Sequence, residues 1–147
     1  MPFTIVHQTF KSVGIKNRGR FSEFASVVPK NAQKFMSRRD ELEDHSGTEI
    51  AFFEPKRGED HLEGGYYVGI TATRKPGEVP SGMEYLEITH TYAAARGEIS
   101  EIGSLHSRLN DWIFEQGRHV NQEAYFVELY FPKEDGEEVE VYIPIQE

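Results

Sequence analysis

Apolar and polar positions alternate along the chain with two different periods, and the switches between them mark out its elements. Residues 3–16 are rich in β-formers (Phe3, Ile5, Val6, Phe10, Val13 and Ile15) and predict an extended strand, ended by the turn signal Asn17-Arg18-Gly19. Val28-Pro29 then reads as a helix start, because proline is tolerated in the first turn. Ala32, Phe35, Met36 and Leu42 follow at helical spacing, and Ser46-Gly47 closes the segment. Strands are expected at 48–53 and 66–73, around a polar loop at 54–60. The Pro- and Gly-rich stretch 74–82 breaks all periodicity.

The same order then returns. Residues 83–95 predict a strand, and 100–116 a helix with Ile102, Leu105, Leu109, Trp112 and Ile113 on one stripe and Gly117 as its stop. Strands at 125–131 and 139–145 flank the polar turn 132–138. Each half therefore reads strand–helix–strand–strand, as pseudo-repeats 1–75 and 82–147 of one domain spanning 1–147. Neither half can bury both faces of its strands alone. The expected fold is α+β: tandem strand–helix–strand–strand repeats form one bent antiparallel sheet, with both helices packed as a layer on one side.

Composition narrows the chemistry. The chain has 147 residues and no cysteine, which excludes disulfides, iron–sulfur clusters, thiol catalysis and Cys-ligated zinc. A net charge of −9 makes it a poor partner for a polyanion, so direct nucleic-acid binding is not expected. The start Met1-Pro2-Phe3-Thr4-Ile5-Val6-His7 lacks the basic and apolar regions of a signal peptide, and no apolar run has the length of a membrane helix. The cytoplasm is the expected location, with no membrane contact. His7, His45, His61, His90, His106 and His119 show no metal-site spacing and read as surface or turn histidines. No metal or other cofactor is expected. The basic cluster from Arg18 to Arg39 reads as a solvated face, with a protein contact there as the lesser choice.

The most informative segment is 125–131. On a strand, Val127, Leu129 and Phe131 share one face, expected to meet the helices as Val139, Val141 and Ile143 do. Phe126, Glu128 and Tyr130 share the other. A carboxylate between two aromatics on an apolar strand is partly desolvated, and seeks a cation or a hydrogen-bond donor. Trp112 reads equally as core or as pocket wall. Tyr66 and Tyr67 point to opposite faces of one strand, so only one of them can line a given cleft. Phe10 and Tyr92 read as ordinary sheet packing.

The run Phe126-Val127-Glu128-Leu129-Tyr130, followed by Val141-Tyr142-Ile143-Pro144-Ile145, resembles the C-terminal signature of the GyrI-like effector-binding domains. Such domains also form the ligand-sensing half of AraC- and MerR-type regulators. Tyr66-Tyr67-Val68-Gly69-Ile70, Pro80-Ser81-Gly82-Met83-Glu84, Thr91-Tyr92-Ala93 and Leu109-Asn110-Asp111-Trp112 match as well, so the resemblance covers nearly the whole chain. It implies a central cleft whose acidic residue falls on Glu128, answering a cationic ligand's charge between tyrosines. No helix-turn-helix segment is evident, so the chain resembles the stand-alone members. A small lipophilic ligand, held by Glu128, Tyr130, Phe126, Trp112 and one of Tyr66 and Tyr67, is the leading expectation. The resemblance leaves two others open: a hydrolase of cyclopropane-type natural products using a Glu–Tyr pair, and a gyrase-inhibitor-like interaction protein.

Overall fold

In the computed structural model, which describes residues 3–147, the strands close on themselves. Chain order is β1 (Thr4–Arg20), α1 (Phe24–Met36), β2 (Glu49–Phe53), β3 (Glu63–Thr71), β4 (Glu84–Glu98), α2 (Ile102–Glu115), β5 (Phe126–Lys133) and β6 (Gly136–Pro144). This is the expected strand–helix–strand–strand order, twice. Around the sheet the order is β1-β3-β2-β5-β6-β4, every neighbouring pair antiparallel, and β4 pairs back onto β1. The bent sheet is thus a barrel. Strand β1 closes it by serving two partners: Thr4–Gly14 pair with β4 and Ser12–Arg20 with β3. Where the two pairings overlap, Gly14 sits opposite Gly69, and a Cβ on either would lie 2.2 Å from a backbone oxygen of the other strand. The strand can pass there only because both residues lack a side chain.

Closure gives the sheet two buried faces. Inside, Phe10, Ile50, Phe52, Tyr67, Tyr92 and Val127 pack together, with Phe10 and Tyr92 edge-to-face at 5.4 Å. Outside, α1 lays Val28 and Phe35 on Val13, Ala51, Tyr66 and Val68, while α2 lays Leu105, Leu109 and Ile113 on Ala93, Val139 and Val141. Both helices therefore cover the same, outer face. No helix among the described residues is long and apolar enough to cross a membrane.

Three expectations change. Asn17-Arg18-Gly19 does not turn; β1 runs on to Arg20, because its backbone continues to pair with β3 as far as Glu63. Helix α1 begins at Phe24 rather than Val28, after a short turn over Phe21–Glu23, since Phe24 is held down by the Tyr66 ring at 5.0 Å. Pro29 thus lies inside the helix and has no N–H to give the carbonyl of Ala25. The faces of β5 are also reversed. Val127 and Leu129 point into the barrel, and Phe126, Glu128 and Tyr130 point toward the helices. The pairing decides this: Glu128 sits opposite Val141 and Tyr130 opposite Val139, and cross-strand partners share a face.

Candidate functional site

Tyr130 packs against both helix-covered clusters, so the middle of β5 lies at the seam between the two halves. Beside it Glu128 is 8 % exposed. An isolated buried carboxylate is expensive, and this one is compensated on both oxygens. The Tyr130 hydroxyl donates to Oε1, and His106 Nε2 lies 2.7 Å from Oε2. Burial, and then the Glu128 carboxylate, push the Tyr130 phenol well above its ordinary range, so it stays protonated and acts as a donor. An ionised carboxylate only accepts, so the imidazole Nε2 must carry a hydrogen and donate as well. The ring is positioned by Phe126, stacked parallel to it at 6.4 Å and 12°.

Glu128 and Tyr130 open onto a cavity of about 300 Å³ between the two helices. Helix α1 contributes Phe24, Ala25, Val28 and Pro29; Phe53 of β2 and Ile102 of α2 complete the wall. The lining is apolar apart from the Glu128–Tyr130 pair. A second hollow of about 360 Å³ shares Val28, Pro29 and Tyr130 with it and is also lined by Glu49 and Glu137. Burial, followed by the charge of Glu137, holds the Glu49 carboxyl above its ordinary value. Hollows of about 350 Å³ beside Leu42 and about 520 Å³ beside Phe10 and Tyr142 are roomier, but neither is lined by a buried carboxylate.

The structure brings some of the expected site residues together and separates others. Glu128 and Tyr130 share the cavity wall, and Phe126 supports the His106 ring behind them. Tyr66 stands behind Phe24 on the helix-covered face and accepts a hydrogen bond from Asn31 Nδ2 at 2.6 Å. Tyr67 points the other way, into the barrel, where its hydroxyl donates to the Glu84 carbonyl at 2.9 Å. Trp112 does not reach the cavity; its ring meets Phe3 edge-on at 5.8 Å. The helix explains this, because six residues beyond His106 is about 9 Å along the axis and about 120° round it. His106, expected as a surface or turn histidine, instead sits part-buried within α2 against Glu128. It lies on the stripe Ile102, His106, Leu109, Ile113, where a polar residue in an apolar i, i+4, i+7 series is itself a signal of a buried partner. Among the described residues, no group of three or more His, Asp or Glu side chains could hold a metal ion.

No protein-family model matches the chain, and no curated protein sequence matches it. Solved structures do. SAV2435 bound to tetraphenylphosphonium aligns with a TM-score of 0.70 at 13% identity, over 99% of this chain and 94% of that one. The C-terminal domain of EcmrR aligns at 0.65 and 12% identity, over 100% and 99%. A hydrolase encoded by lin2189 from Listeria innocua aligns at 0.60 and 8% identity, over 98% and 91%. The chain has the fold of these proteins. It is also the fold that the resemblance to GyrI-like effector-binding domains implied.

Proposed function

We propose that this chain is a GyrI-like small-molecule-binding domain that captures a lipophilic, cationic ligand between its two helices, with Glu128 as the polar anchor. The observation that carries the reading is a buried carboxylate lining an otherwise apolar cavity, held by donors that need not themselves be charged. Phe24, Phe53 and Tyr130 offer ring faces and edges to a flat or cationic body, and the carboxylate supplies the opposing charge in a poorly hydrated setting. Tetraphenylphosphonium, held by SAV2435, has this chemistry, which supports the choice of probe. Isothermal titration of the protein with tetraphenylphosphonium and with neutral triphenylphosphine oxide tests the reading. Saturable binding of the cation, well above that of the neutral compound, is expected; equal binding of both, or of neither, contradicts it.

A second reading is favoured by one contact, the hydrogen bond from Tyr130 to Glu128. A phenol with its proton held in place, beside a carboxylate, can work as a general acid–base pair, and one protein of the same fold is a hydrolase. Under this reading Glu128 activates a water and Tyr130 steadies the leaving atom of a small lipophilic natural product. Turnover of cyclopropane-bearing compounds by the purified protein, abolished in Glu128→Gln, would favour it over simple capture.

A further inference from the structure

His106 touches the anchor of the cavity but does not line the cavity itself. Its Nε2–H is committed to Glu128 Oε2, while Nδ1 makes no hydrogen bond to any described residue, and the side chain is 25% exposed. Nδ1 is therefore where a proton from solvent can be added without disturbing the contact with Glu128. We infer that His106 is the specificity-determining residue of this site: its protonation sets whether the cavity accepts a cation. This rests on the proposed capture of a small molecule at Glu128.

With neutral His106, the His106–Glu128–Tyr130 chain carries one negative charge, which a cation in the cavity can answer. With a proton on Nδ1 the imidazolium already neutralises Glu128 at 2.7 Å, and an incoming cation meets an ion pair that has no net charge to offer. Cation and proton then compete for one carboxylate from opposite sides: the ligand from the cavity, the proton from solvent through the imidazole. By linkage, cation binding must expel the proton to the same extent that the proton weakens the cation. Histidine suits this role because its charge changes near neutral pH.

The surroundings leave His106 as the group that decides. Glu128 is the one acid within 4 Å of it among the described residues. From β5 it also faces Phe126, and through Glu128 the protonated Tyr130. The α1 wall opposite is apolar, and β4 and β6 turn Ala93, Val139 and Val141 toward α2. Glu101 and Arg108, flanking it in the chain, are exposed. Glu49 and Glu137 lie beyond Tyr130 in the adjoining hollow, and neither forms an ion pair with the imidazole.

Two measurements test the inference. The first is calorimetric titration with tetraphenylphosphonium between about pH 5.5 and 8, in buffers of different ionisation enthalpy, on the wild type and on His106→Gln, which keeps a donor but cannot titrate. The wild type should lose affinity as pH falls, approaching about tenfold per pH unit, and release a proton on binding. His106→Gln should bind at every pH as the wild type does at the upper end, with no proton released. A wild-type profile no steeper than that of His106→Gln overturns the inference. The second needs no ligand: in the ring-proton NMR titration, Glu128→Gln should shift His106 protonation toward lower pH. An unmoved titration overturns the inference even if tetraphenylphosphonium fails to bind, whereas that failure alone counts against the reading of the cavity.

Discussion

Two glutamates in this molecule each pair with a histidine Nε2, and only one of them has the makings of a site. Glu54, in the loop after β2, takes His61 Nε2 at 2.9 Å, the Arg57 guanidinium at 2.8 Å and the Gly65 backbone N–H at 2.8 Å. His61 is also occupied on its other nitrogen, by the Arg57 N–H. Burial alone would raise the Glu54 carboxyl, but the Gly65, Arg57 and His61 contacts together hold it below the ordinary value. It is a staple that ties the β2–β3 connection shut and carries its own permanent cation. Glu128 has a phenol and an imidazole, no permanent cation, a free Nδ1 behind it and a cavity in front. The same pair of residue types is structural where every valence is filled from within, and available for chemistry where the compensation can be changed.

Breaking the staple should give the larger stability effect. Glu54→Ala leaves three donors facing a gap, and a loss of about 1–3 kcal/mol in urea denaturation is expected, with tetraphenylphosphonium binding unchanged. The sign of its pH dependence follows from the depressed carboxyl. The stability that Glu54 contributes is present above the unfolded-state value and is lost as pH falls through the lower folded-state value. Acid denaturation of Glu54→Gln should accordingly be flatter than that of the wild type over that range.

Glu128→Gln should cost less, about 1 kcal/mol. The amide oxygen still accepts from either Tyr130 or His106, but the amide hydrogens then face the other donor. An isolated desolvated charge would be better removed; the two donors reverse that expectation, and equal or higher stability of the variant would show that they do not hold the carboxylate. The smallest effect belongs to Glu49. Its side chain has no hydrogen bond or ion pair among the described residues, and its raised carboxyl means that the folded state pays for its charge at neutral pH and is relieved as pH falls. Glu49→Gln should stabilise by roughly a few tenths of a kcal/mol near neutral pH, discounted for its exposure, with the gain fading in acid.

Much of this was legible in the sequence because the element order lies in the periodicity, and because Glu128 stands out between Phe126 and Tyr130 in an apolar strand. Which face of β5 meets the helices was not legible. In a closed sheet both faces are buried, so Val127–Leu129 and Phe126–Tyr130 are equally apolar in pattern, and only the register against Val139 and Val141 decides. The partner of Glu128 was hidden for a related reason. Nothing local to α2 announces that His106 lies over β5, whereas Trp112, large and on the expected stripe, lies too far along and around the helix to reach it. A single histidine interrupting an apolar stripe carried more information than the tryptophan further along the same helix.

The proposed site depends on Glu128 supplying the charge for a cation held between the helices. The most direct test is the dissociation constant of tetraphenylphosphonium for the wild type and for Glu128→Gln at one pH near 8, with circular dichroism confirming equal folding. Loss of a poorly solvated charge contact should weaken binding by about 2 kcal/mol or more, roughly thirtyfold. Equal affinity in the two folded proteins would contradict the account and leave Glu128, like Glu54, as part of the scaffold.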